Sequence, residues 1–382
     1  MYSPTLFRSF FLGGFECSTH RRHDGRRLDL LAATRHDELA EPDYRALHQH
    51  GIRTARDGVR WHLIEQRPGY YCWDSLLPML RAARVTRTQV IWDLCHYGWP
   101  DHLDIWRPQF VESFARFAAA VAEVVRDETD GVPFYAPVNE ISYWAWAGGD
   151  EAHFNPLARG RGFELKHQLV RASIAAIEAI RAVDARARFV QIDPVIHVRA
   201  ASDRPGPQRE AERLRLAQFE AWDMLCGRQW PGLGGDPAYL DIIGVNYYSD
   251  NQWYLGGVTI EPGTADYRPF ADILEEVWTR YRRPLLIAET GAEGDARGPW
   301  LSYVSKQAGQ AMRRGVPIEG ICLYPIVDYP GWTNERHCPV GLFGFADTAG
   351  ERPVHREVAT ELREQQRQHQ YSDVAEFVCT SS

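Results

Sequence analysis

Residues 285–291 read Leu285-Leu-Ile-Ala-Glu289-Thr-Gly291: four apolar residues with no polar alternation, then a carboxylate, then a turn residue. A run of that length and composition reads as a strand buried on both faces, as in a parallel sheet. Working outward, seven further runs of the same kind appear: Phe10–Phe15, Thr54–Trp61, Gln89–Leu94, Pro133–Val138, Arg188–Ile192, Ile242–Val245 and Gly320–Leu323. Between them lie amphipathic stretches. Gln109–Asp127 places Phe110, Phe114, Phe117, Val121 and Val124 at three- and four-residue steps, and Leu165–Val183 repeats the pattern. Further helices are expected at Pro42–His50, Ser75–Arg84, Gln208–Cys226, Phe270–Arg282, Trp300–Arg314 and Val354–Gln366, with loops at Ala201–Glu212 and Tyr254–Pro269.

Strand and helix therefore alternate eight times, which argues for a (β/α)8 barrel, the TIM-barrel form of the α/β class. An open doubly wound sheet is the competing reading, and no strand is followed by the glycine-rich phosphate loop that such sheets use. The barrel is expected to be a single domain over 1–368, followed by a polar C-terminal tail over 369–382. A chain of 382 residues with 45% hydrophobic and 25% charged residues buries a large core without staples. The net charge of −8 shows no basic stripe, so nucleic acid is not an expected partner. Apolar runs fall far short of a bilayer span, so no membrane association is expected. Seven scattered Cys without a CxxC pair point to reduced thiols and a cytoplasmic location. The oligomeric state is not legible.

Chemistry in such a barrel belongs at the C-terminal ends of the strands. Polar residues gather there: Glu16 after strand one, Arg56 and Asp57 on strand two, Cys95-His96-Tyr97 after strand three, Asn139-Glu140 after strand four, Asn246-Tyr247-Tyr248 after strand six, Glu289 after strand seven and Tyr324 after strand eight. Glu140 and Glu289 stand out, because an unpaired charge at the end of an apolar strand is costly. A pair of carboxylates flanking one bond is what glycoside hydrolysis requires. A structural ion pair, Glu289 with Arg56 for example, is the other reading of either one.

These residues carry a family resemblance. Phe11-Leu-Gly-Gly-Phe-Glu-Cys-Ser, Arg56-Asp-Gly-Val-Arg-Trp61, Asp93-Leu-Cys-His96-Tyr-Gly-Trp99-Pro, Val138-Asn139-Glu140, Ile243-Gly-Val-Asn246-Tyr-Tyr248, Ile287-Ala-Glu289-Thr-Gly291 and Gly320-Ile-Cys-Leu-Tyr324 follow one another in order. Together they resemble glycoside hydrolase family 1 and, more broadly, the clan A retaining glycosidases. The resemblance implies a retaining β-glycosidase working by double displacement, with Glu289 as nucleophile and Glu140 as acid/base. It needs no cofactor and no metal, and its partner is a small glycoside or oligosaccharide. Retention implies carboxyl groups about 5–5.5 Å apart, against roughly 6.5–9.5 Å for inversion. Arg56 and Tyr248 would hold Glu289 ionised, and Glu289 together with burial would raise the pKa of Glu140. Asn139 and His96 would bond sugar hydroxyls. Asn246, Tyr324, Trp332, Glu16, Trp99 and Trp144 complete the expected substrate-binding set.

The departures bear on specificity. The family closes its site with a Trp floor and a Glu-Trp pair; here those positions carry Tyr324 and Gly331-Trp332. Glucose specificity is therefore not implied. Transfer of the glycosyl group to an acceptor other than water is an alternative, suggested by the aromatic Tyr143-Trp-Ala-Trp146 after Glu140. A non-catalytic carbohydrate-binding barrel is another, suggested by the missing Glu. Cys17, His20 and His23 match no standard zinc spacing, and Arg159-Gly-Arg161-Gly leaves a phosphorylated or acidic sugar open.

Overall fold

The computed structural model describes residues 6–379, with side chains through 369. Eight strands close into an all-parallel barrel: β1 (Phe11–Gly14), β2 (Thr54–Gly58), β3 (Gln89–Asp93), β4 (Phe134–Ala136), β5 (Arg188–Pro194), β6 (Ile242–Asn246), β7 (Leu285–Thr290) and β8 (Ile318–Leu323), each paired with its sequence neighbours and β8 with β1. All eight expected strands are present. Strand two is shorter than expected: it stops at Gly58, and Trp61–Ile64 turns into a short helix.

The apolar character without alternation has a direct cause, since both faces of each strand are packed. Leu12, Ile91, Phe134, Val190, Ile192, Ile242, Leu286 and Cys322 fill the barrel, and Phe7 stacks against Phe134 with ring centroids 5.3 Å apart. Residues of opposite parity, such as Ala55, Val90, Tyr135, Ile243 and Ile287, pack outward against the helices.

The helical ring consists of α1 (His36–Gln49), α2 (Leu77–Thr86), α3 (Pro108–Glu128), α4 (Gly162–Val183), α5 (Glu220–Leu225), α6 (Phe270–Tyr281), α7 (Arg297–Arg313) and α8 (Arg356–Cys379). The stripe expected on α3 faces the core at Phe110, Phe114, Phe117 and Val121, whereas Val124 is only half-buried and its neighbour Val125 is the buried one. Three expectations change. The stretch Gln208–Cys226 is not one continuous helix; it divides into Pro205–Ala217 and α5 across Gln218 and Phe219, where the Gln218 side chain bonds both the N–H and the carbonyl of Ile196. The expected loop Ala201–Glu212 is largely that first helix, which starts at Pro205, where a missing N–H costs nothing and φ is already helical. Helix α8 runs across the 368/369 boundary drawn for the tail, and His369 still packs, its Nε2 2.9 Å from Ser305 Oγ. Residues 380–382 of that tail lie outside the described residues. No helix among the described residues is long and apolar enough to cross a membrane. The six described cysteines are free thiols.

One irregularity positions chemistry. Gly244 pairs with Leu286 and Asn246 with Glu289, so two steps along β6 match three along β7. A regular ladder turns Thr290 inward; this bulge turns Glu289 inward instead and leaves Thr290 accepting from Trp300 Nε1 on α7.

Candidate active site

Arg56 is the centre of the polar cluster at the barrel's C-terminal end. It lies fully buried on β2, where a lone guanidinium would be untenable. Four acceptor groups compensate it. Its Nε and Nη2 make a fork on Asp93 of β3 at 3.0 and 2.7 Å, its Nη2 also donates to Asn139 Oδ1 at 2.7 Å, and its Nη1 donates to Glu289 Oε1 at 2.7 Å and to the Ala288 carbonyl. The ion pair weighed as the alternative for Glu289 is thus present, and it reaches the second carboxylate's neighbour as well. Tyr248 donates to the other Glu289 oxygen at 3.0 Å. Both carboxylate oxygens therefore receive a donor, one of them cationic.

Glu140 has a different environment. It follows β4 with φ 46°, a left-handed conformation that swings its side chain away from the strand direction. Its Oε1 accepts from Asn246 Nδ2 at 2.8 Å and its Oε2 from the Tyr97 hydroxyl. No cation among the described residues touches it. Burial, then the charge of Glu289, push its pKa up to about 8, against the pull of the two hydrogen bonds. The two carboxyls thus sit in unlike surroundings, Glu289 beside a guanidinium and Glu140 among neutral donors.

Asn139 and His96 were expected to meet sugar hydroxyls. The structure commits them to protein. Asn139 accepts from Arg56 and spends its amide on His96 Nε2 at 3.1 Å and on Tyr97 Oη at 3.0 Å. His96 has Asp93 at Nδ1, 2.9 Å away. Since Asn139 Oδ1 faces a guanidinium, its amide faces Nε2; burial pulls the His96 pKa down, but Asp93 and Glu16 outweigh it and raise it. These residues brace the two carboxylates.

The remaining candidates divide. Tyr324 lies parallel to His96, with interplanar angle 2°, and below the Arg56 guanidinium, 5.0 Å from its ring centre. Its hydroxyl is buried without a partner among the described residues. Glu16 is buried after β1; its Oε1 accepts the Ser18 N–H and hydroxyl, and its Oε2 has no donor among the described residues. Burial raises its pKa, with Glu289 adding and His96 opposing. Trp332 is half-buried, its indole N–H unpartnered among the described residues, and its ring lies 4.6 Å from that of His20. Trp99 and Trp144 are not brought into this group. Trp144 is 0% exposed, donates to the Asn155 carbonyl at 2.9 Å and packs against Tyr97 and Trp99. Trp99 donates to the Leu103 carbonyl and packs on Phe110. The Trp144 ring is core, and the half-buried Trp99 packs against it.

Cys17, His20 and His23 do not converge. Cys17 Sγ lies 3.2 Å from His96 Nδ1 and 3.7 Å from Asp93 Oδ2 instead, and these three residues group within 4.8 Å. Arg56 already occupies both Asp93 oxygens, and burial together with the Asp93 charge keeps the Cys17 thiol protonated. Arg161 is exposed, forks onto Glu164 and covers the Trp106 ring at 3.5 Å.

Two residues of the cluster went unselected in the sequence. Asp93 is the anchor of Arg56, and Tyr97 is the donor to Glu140. Both flank His96 within one motif; Tyr97 takes φ 66°, a backbone reversal that no side-chain pattern announces.

Among solved structures the chain is similar to a β-glucosidase from Thermotoga maritima in complex with glucoimidazole, at 17% identity and TM-score 0.77, covering 94% of this chain and 98% of that one. A family 1 β-glucosidase from the same organism matches at 18% identity and TM-score 0.77, over 96% and 98% of the two chains. The AHE enzyme from Alicyclobacillus herbarius matches at 18% identity and TM-score 0.76, over 97% and 100%. No family model matches the chain, and no curated protein does. The likeness shows the fold: a (β/α)8 barrel of the kind seen in family 1 β-glucosidases.

Proposed function

We propose that the chain is a retaining β-glycosidase that hydrolyses a small β-linked glycoside by double displacement, with Glu289 as nucleophile and Glu140 as acid/base. The observation that carries this reading is the contrast between the two carboxyls. Glu289 receives hydrogen bonds from Arg56 and Tyr248, whereas Glu140 has no cation among the described residues and is pushed up to about 8. The shared fold with β-glucosidases supports it further.

In the first step Glu289 attacks the anomeric carbon while Glu140 gives its proton to the leaving oxygen, so the glycosidic C–O bond breaks as the ester forms. Esterification removes the Glu289 charge. The largest electrostatic opponent of Glu140 ionisation is then gone, and its pKa falls. Glu140, now a carboxylate, takes a proton from water as that water attacks the same carbon, and Glu289 is released. Arg56 and Tyr248 hold the nucleophile still between these steps. Tyr324, Trp332 and Glu16, whose polar atoms keep unspent hydrogen-bonding capacity, are the groups offered to the glycone. The mechanism calls for no resident cofactor.

Turnover of aryl β-glycosides tests the reading. Glu289→Ala should abolish it, and azide should restore it as a glycosyl azide of inverted configuration. Glu140→Ala should lose about 10²–10⁴-fold with leaving groups that need protonation. Full activity in Glu289→Ala ends the reading.

A further inference from the structure

Glu140 occupies the N-cap position of the helical turn Ile141–Trp144, which continues into the π-helical turn Ala145–Asp150. The exposed N–H groups of a first turn are ordinarily satisfied by a short N-cap side chain such as Ser, Thr, Asp or Asn. Glu140 makes no capping bond. Another carboxylate performs that task. Asp193, near the end of β5 and 1% exposed, accepts the Ser142 N–H at 3.0 Å on Oδ1 and 3.3 Å on Oδ2, and the Ser142 hydroxyl at 2.7 Å on Oδ2. The adjoining Ile192 carbonyl accepts the Glu140 N–H at 3.0 Å. Two consecutive residues of β5 thus grip the backbone on either side of the left-handed Glu140.

We propose that Asp193 is a positioning residue for Glu140: by capping the turn in its place it keeps the Glu140 side chain free for the reacting centre, and its charge biases that side chain toward holding a proton. This rests on the reading of Glu140 as the acid/base. The groups that face Glu140 include Glu289 from β7, Tyr97 beyond β3, Asn246 and Tyr248 from the end of β6, Asp193 from β5 and Tyr143 of its own turn. Asp193 itself faces Ser142, Tyr143 and, through space, Lys166 of α4, which is paired with Glu220. Burial pushes Asp193 up to about 7, so Asp193 and Glu140 compete for charge across neutral pH.

The role predicts a signature that mere loss of structure does not give. A misplaced acid matters only where the leaving oxygen needs its proton. With a series of aryl β-glycosides, Asp193→Ala should lose at least about tenfold in kcat/KM on phenyl leaving groups and less than about threefold on dinitrophenyl ones. Asp193→Asn keeps an acceptor for the Ser142 N–H but removes the charge, and it covers the case in which Asp193→Ala does not fold. Its alkaline limb in kcat/KM should move to lower pH, because removing a like charge lowers the pKa of Glu140. A loss equal across all leaving groups, or no movement of the limb, overturns the proposal. Glu140→Ala is measured alongside. If that variant lacks the leaving-group dependence, the reading of Glu140 fails. If it shows the dependence and the Asp193 variants do not, only the present proposal fails.

Discussion

Arg56 on β2 and Glu289 on β7 meet at 2.7 Å, and the same guanidinium donates to Asn139, the residue before Glu140. One buried cation therefore ties together the strand ends that carry both carboxyls. Removing it strands Asp93 and Glu289 as uncompensated charges in a buried site. Arg56→Met should cost about 3–5 kcal/mol of stability, the range for breaking a buried ion pair by deleting one partner. Urea unfolding measures this. A loss below about 1 kcal/mol would mean that the pair contributes as little as a surface salt bridge.

The pKa of Glu140 should respond in opposite directions to its two kinds of neighbour. Glu289→Gln removes a like charge and should bring it down from about 8 toward the ordinary carboxylate range. Tyr97→Phe removes a donor that favours the carboxylate and should push it higher still. Carbon-13 NMR titration of labelled glutamates, with Glu140→Gln to assign the signal, follows both. Movement in the same direction for the two variants would contradict the environment described.

A second buried cluster lies outside the site. His36 is fully enclosed, its Nδ1 2.7 Å from Asp43 and its Nε2 2.8 Å from Asp57, with Phe15 stacked on its ring at 3.5 Å. Burial alone pulls its pKa down, but Asp57 and Asp43 outweigh it and lift it to about 9. A His raised above its unfolded value stabilises the fold fully below about pH 6.5 and ceases to do so as pH rises through 9. Unfolding free energy should therefore fall between those limits, by an amount on the order of 3 kcal/mol at most. His36→Gln should flatten that part of the stability–pH curve. An unchanged slope in the variant would assign the dependence to other groups.

Trp144 and Trp146 should separate packing from exposure. Trp144, 0% exposed and wedged between Tyr97 and Trp99, should cost about 3–5 kcal/mol on replacement by Ala. Trp146 is 48% exposed, and its replacement by Ala should stay within about 0.5 kcal/mol. Thermal and urea unfolding compare the two. Equal costs would mean that Trp144 is not the core residue its contacts describe.

Much of this architecture was legible in residue order. Strands buried on both faces need apolar residues at every position, so β3, β6 and β7 stand out without any period-2 pattern, and a carboxylate at the end of such a run is conspicuous. Glu140 and Glu289 were legible for that reason, and so was the helical stripe of α3. The division of the helix at Gln218 was not, and the side-chain bonds made there reach Ile196, a residue 22 positions earlier.

What the sequence determined by itself is which side chains end each strand, since strand periodicity and the cost of buried charge are local matters. Which of them meet was decided only by closing the barrel. Closure set Arg56 between Asp93, Asn139 and Glu289, took Asn139 and His96 into that network, and put Trp144 in the core. The bulge that turns Glu289 inward and the Asp193 cap beneath Glu140 also belong to the tertiary structure, because each depends on the register of a neighbouring strand rather than on the residues beside it in the chain.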